Sequence, residues 1–353
     1  MSKTHSVLAA PPRVVWLTVF VVAELFLLRI ATRTLIHIPG LGRFETPIRV
    51  LAEAGRFAYY AAVVFLIAVL VSMAYVRFKS PDPRSRLAGS AAVGFLLVAG
   101  AGRLGVVSLS VVGWSLSAAL VVAVLANWRG RRSVPLALFT LGVVAAGWSA
   151  LGQGTGGGLT GRQVDTLLMI AEVALVLAAL TAPLLLEEPP TRRALLIGLG
   201  AAAAVTAILS AGASTVWILG LWTLGVPGWL PGIVYALAFG GLVTTWWSAF
   251  GGGQWNIGVG LVLLAAGGVG AISTYQSGLV LVGVLLIGEV VAQTRSVPPL
   301  QTANQAAPMV FDDTQRSYSA VVVTAWLISC SQTVFDQVSP KFLAVCASQS
   351  CLL

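Results

Sequence analysis

Carboxylates are scarce in this chain of 353 residues, 12 in all with 2 histidines, and several sit inside long apolar runs. Glu24 lies about ten residues into the first run, and Arg29 follows about one and a half helical turns later. Glu53 and Arg56 are three apart, so on a helix they share a face, and Tyr60 extends that face four residues further on. Glu172 lies about eight residues into a later run. A charge near a bilayer centre costs roughly 2.5–3.5 kcal/mol on insertion scales, so such groups turn towards protein or water. Carboxylates at that depth have the chemistry of a proton, cation or substrate site. Desolvation and a neighbouring arginine act in opposite senses on such a group, and their balance decides whether it takes a proton or a cation.

Each group also has a plainer reading. Glu53 and Arg56 fit a partly solvated ion pair at a helix end, and Arg29 fits a side chain snorkelling to headgroups. Glu24 and Glu172 are too short to reach headgroups from their depth. The expectation is that these two share one polar cavity in the outer half of a bundle, with Arg29 or Arg56 as counter-charge. The binding candidates are therefore Glu24, Arg29, Glu53, Arg56, Tyr60 and Glu172.

Several chemistries are not supported. Both histidines, His5 and His37, lie outside the apolar runs, which leaves no bis-histidine haem site and no histidine-rich metal site in the membrane. The three cysteines, Cys330, Cys346 and Cys351, form no paired CxxC, so no zinc site is expected. The loop GQGTGGGLTG lacks the GK[ST] ending of a phosphate loop. No catalytic residue, metal or cofactor is predicted. The net charge of +9 sits in short loops between apolar segments, where it informs topology and gives no sign of nucleic acid.

The elements that must position these groups are membrane helices. From Ala194 to Gly288 there is no Lys, Arg, Asp, Glu or His, a length sufficient for about four crossings at about 20 residues each. The 9% charged content is far below the roughly 25% of a soluble domain. The fold class is an all-α, polytopic transmembrane helix bundle of about ten spans, or eleven if Thr215–Val226 also crosses. The runs are Val14–Ile36, Ile48–Val76, Leu87–Ala101, Gly105–Trp128, Val134–Leu151, Val164–Leu186, Ala194–Ala211, Ile233–Phe250, Asn256–Ile272 and Ser277–Ala292. The third is short for a full span. Residues 1–293 form the bundle, and residues 294–353 read as a polar, weakly ordered tail or small appended element.

With the N-terminus inside, inner segments carry eleven basic residues against five outside, which predicts a cytoplasmic N-terminus in a cell membrane. The partners expected are the lipid bilayer, a small-molecule or ion substrate, and other membrane proteins. A secondary transporter or permease accounts best for many helices, little soluble mass and deep carboxylates. A non-catalytic subunit of a larger membrane complex is the alternative, favoured by the uncharged second half. An enzyme acting on a lipid-linked substrate comes third, because it needs a reactive group at the membrane surface.

Overall fold

The computed structural model describes residues 12–27, 45–154, 159–210, 229–267 and 274–293, with the short pairs 217–218 and 221–222. The expected tail, 294–353, lies outside the described residues, as does Arg29. Ten α-helices occur among those described. They are α1 Pro12–Glu24, α2 Glu45–Phe78, α3 Pro83–Arg103, α4 Leu109–Ala126 and α5 Val134–Gly154. The second half holds α6 Gly161–Thr181, α7 Arg192–Ser210, α8 Trp229–Gly251, α9 Trp255–Gly267 and α10 Thr274–Gln293. Seven of these regions are long and apolar enough to cross a membrane, which is compatible with a multi-pass helical membrane protein. They are centred on α2, α3, α4, α5, α6, α8 and α10.

Local chemistry sets the helix ends. The third helix corrects the expectation of a short span. Asp82 caps it by accepting from the Arg84 N–H at 3.1 Å, and Pro83 opens the first turn, so it runs 21 residues. The fourth begins four residues later than expected, because Gly105 turns the chain at φ 73° between α3 and α4. At α6 the Thr160 and Gln163 side chains each bond the other's backbone N–H, a reciprocal capping box. Within 215–226 the described residues are extended. Trp217 pairs with Trp222 and Ile218 with Leu221 in a two-residue antiparallel ladder, where the sequence allows an eleventh helix.

Sequence neighbours pack on one another around a central helix. Of the apolar window of α10, 83% is buried, against 28% for α3 and 61% for α8. It touches α2, α3, α4, α5 and α9. Small residues let the backbones meet: a Cβ on Gly240 of α8 would lie 2.7 Å from the Gly198 carbonyl oxygen of α7. Gly260 of α9 and Gly283 of α10 face each other in the same way.

Polar contacts label the two ends of the bundle. At one end the Arg77 guanidinium donates to the Leu285 carbonyl at 3.1 Å and lies 3.5 Å from Glu289. Asn127, after α4, fills the space beside Gly288, and Arg132, before α5, donates to the Leu185 carbonyl at 2.7 Å. At the opposite end Arg103 of α3 donates to Thr274 of α10 at 3.1 Å. Thus α2, α4, α6 and α10 finish at the Arg77 end, while α3 and α5 start there.

Candidate functional site

The buried face of α1 runs Val14, Leu17, Val21 and Leu25, at the three- and four-residue spacings of one helical stripe. Glu24 falls on that stripe and is only 5% exposed, so its carboxyl points into the bundle, against the α2 and α9 with which α1 packs. Immediately after it the chain widens into a π turn over residues 25–27. Glu172 sits halfway along the Gly161–Leu185 span and is half-buried. It lies close enough to Tyr235 of α8 for an electrostatic interaction between the two side chains.

The helices that carry the two carboxylates have different main neighbours. α1 packs on α2 and α9, whereas α6 packs on α5 and α8. Of the counter-charges expected for them, Arg29 lies outside the described residues. Arg56 donates to Glu53 at 2.8 Å, with both side chains 61% exposed. Tyr60 is exposed on the same face, and its ring meets Tyr59, which in turn packs edge-on against Tyr275 of α10 at 5.0 Å.

A second feature lies beside these residues. α2 and α3 form the walls of a groove of about 610 Å³, floored by Thr274, Tyr275 and Gly278 of α10. The walls touch at Gly89, where an added Cβ would be 3.0 Å from the Arg77 Cβ and 3.1 Å from the Ala74 carbonyl oxygen. α3 joins the lining one turn above that contact, from Val93 to Arg103. Among the described residues the lining holds no carboxylate, histidine or cysteine; its polar side chains are Tyr59, Tyr75, Arg103, Thr274 and Tyr275.

No known relative accounts for this arrangement. No family model, no curated protein and no solved structure matches the chain.

Sequence reasoning missed Arg103, Tyr59 and Tyr275 as groove residues and Arg77 with Glu289 as an interhelical pair. Arg77 and Arg103 both look like ordinary loop-flanking charges in the sequence. Their partners lie 208 and 171 residues away, at Leu285 and Thr274, so no local spacing announces them. The signal available was the lone position of Arg103 between two apolar runs, a basic residue at the sparsely charged end of the bundle.

Proposed function

We propose that the chain is a ten-pass secondary transporter of a cell membrane, with a cytoplasmic N-terminus and Glu24 as its proton- or cation-binding group. The burial of Glu24 at the last residue of α1, twelve residues from its start, carries this reading. Arg13, exposed at the start of α1, precedes it by eleven residues. At 1.5 Å per residue the carboxyl is about 16 Å deep, near the middle of a hydrocarbon core of about 30 Å. π turns concentrate at functional sites, and one follows Glu24 directly.

The count of ten rests on α1, α7 and α9 crossing with the seven longer spans, so that each helix reverses the direction of the last. The basic turns at 77–86, 129–132 and 192–193 then share one end, which supports a cytoplasmic assignment for that end. Glu172, beside Tyr235 and half-buried at mid-span, is a second group within the bundle for the same substrate or ion. Glu53, Arg56 and Tyr60 serve at the rim of the α2–α3 groove.

The subunit reading and the transporter reading separate on purification. Extracted from its native membrane in a mild detergent, the transporter comes away alone or with copies of itself. A different protein in fixed stoichiometry contradicts this proposal and supports a complex subunit.

A further inference from the structure

We infer that the groove between α2 and α3 is a binding site for one anionic phospholipid, with the phosphate at Arg103 and Arg56 and an acyl chain along the groove below. This does not depend on the transporter reading.

The space itself argues for hydrocarbon. At about 610 Å³ the groove falls within the roughly 300–1,000 Å³ of small-molecule sites. Its walls are apolar and face outwards: Ile67 is 50% exposed, Val71 53% and Leu97 70%. A face of this kind at membrane depth is covered by lipid chains, because water gains nothing there. The α3 side of the lining, Val93 to Arg103, rises about 15 Å at the α-helical repeat, and the α2 side, Tyr59 to Phe78, about 28 Å, so the groove has room for a long acyl chain.

Charge at the mouth selects the headgroup. Along α2 the residues Arg49, Glu53, Arg56, Tyr60, Val63 and Ile67 follow steps of three and four, so the groove wall continues upwards as a charged stripe. At this end of the two helices the described residues hold three arginines, Arg49, Arg56 and Arg103, against two carboxylates, Glu45 and Glu53, the second bonded to Arg56. The surplus is positive and the matching ligand is an anion. The Thr274 hydroxyl holds the Arg103 Nε at 3.1 Å, which steadies the guanidinium and leaves both terminal nitrogens without another partner among the described residues. Two forward-facing N–H groups are the geometry that fits a phosphate. Tyr59 and Tyr60 stand at the same level, where tyrosine prefers to sit at a headgroup boundary.

The test uses the purified full-length chain in nanodiscs of phosphatidylcholine containing a small fraction of photoactivatable phosphatidylglycerol or photoactivatable phosphatidylcholine. Cross-links are mapped to peptides. The site predicts preferential labelling of α2 and α3 by phosphatidylglycerol, and a loss of that preference by about fivefold for each charge removed in Arg103→Gln and Arg56→Gln. Gly100→Leu tests the groove without touching the charges. A Cβ at Gly100 meets nothing within 4 Å and the residue lines the groove, so the leucine fills it and labelling by either lipid falls. Gly94→Leu, equally open but outside the lining, leaves labelling unchanged. Equal labelling by the two lipids in the parent protein, or undiminished labelling in Gly100→Leu, overturns the proposal. Cross-links from the groove to a second copy of the chain overturn it too, since they give the groove to a protein helix.

Discussion

Adding one methyl group at Gly283 tests whether α10 is held at the centre of the bundle. A Cβ there would lie 2.8 Å from the Gly260 carbonyl oxygen and 2.8 Å from the Leu264 side chain, both on α9. A carbon sits comfortably about 3.3–3.6 Å from a carbonyl oxygen, so the helices must separate by about half an ångström. Neither neighbour can yield easily: one is backbone, and Leu264 is 1% exposed. Overpacking of this kind costs about 1–3 kcal/mol. Alanine recovers up to about 1 kcal/mol of helix propensity over glycine, so the net loss for Gly283→Ala is about 0–2 kcal/mol. Gly200→Ala supplies the control, because a Cβ at that exposed position of α7 meets nothing within 4 Å and only the propensity gain remains. Comparing the two variants cancels propensity and isolates a packing difference of about 1–3 kcal/mol. The assay is the fraction of monodisperse protein surviving a graded heat step in one detergent, read for the parent and both variants. If Gly283→Ala survives as well as Gly200→Ala, α9 and α10 do not meet at these glycines and the central position of α10 fails with them.

Two further outcomes follow from the same geometry. With the three native cysteines replaced by serine, Ser108→Cys should react with an impermeant thiol reagent added outside intact cells, while Ser80→Cys and Glu188→Cys should not; the reverse pattern inverts the topology. Arg77→Ala should cost about 1.5–3 kcal/mol in thermal survival, because the buried guanidinium bonds the Leu285 carbonyl and packs α2 against α10. Glu289→Gln should cost under about 1 kcal/mol, because that side chain is 45% exposed and water replaces its partner; equal losses would mean that the ion pair itself, and not the packing of Arg77, holds the two helices.

Helix existence was legible in the sequence because each apolar run ends at proline, glycine or charge. The expected Ile233–Phe250 lies inside the observed Trp229–Gly251, and Val134–Leu151 inside Val134–Gly154. The length of α3 was not legible from hydropathy, since its first turn is polar and is set by the Asp82 cap and Pro83. Nor was the central place of α10. A helix apolar on all sides suits a protein core and a lipid face equally, because lipid tails are as apolar as leucine. Of the candidate site, the place of Glu24 and Glu172 inside apolar runs was legible, but which helices they meet depends on the order of packing around α10. The groove carried no motif, because its one charged lining residue, Arg103, is joined to it by a contact 171 residues away.

The central claim is that Glu24 binds a proton or cation within the membrane, and charge displacement tests it without knowledge of the substrate. Proteoliposomes adsorbed on a solid-supported electrode are given a rapid jump in pH or in sodium or potassium concentration, with the parent protein and Glu24→Gln at matched density. An ion entering a site about 16 Å deep crosses part of the membrane field and produces a transient current. The account predicts that transient in the parent protein and its loss in Glu24→Gln, which keeps the side chain's shape and removes its charge. Identical responses from the two proteins, whether a current or none, would contradict it.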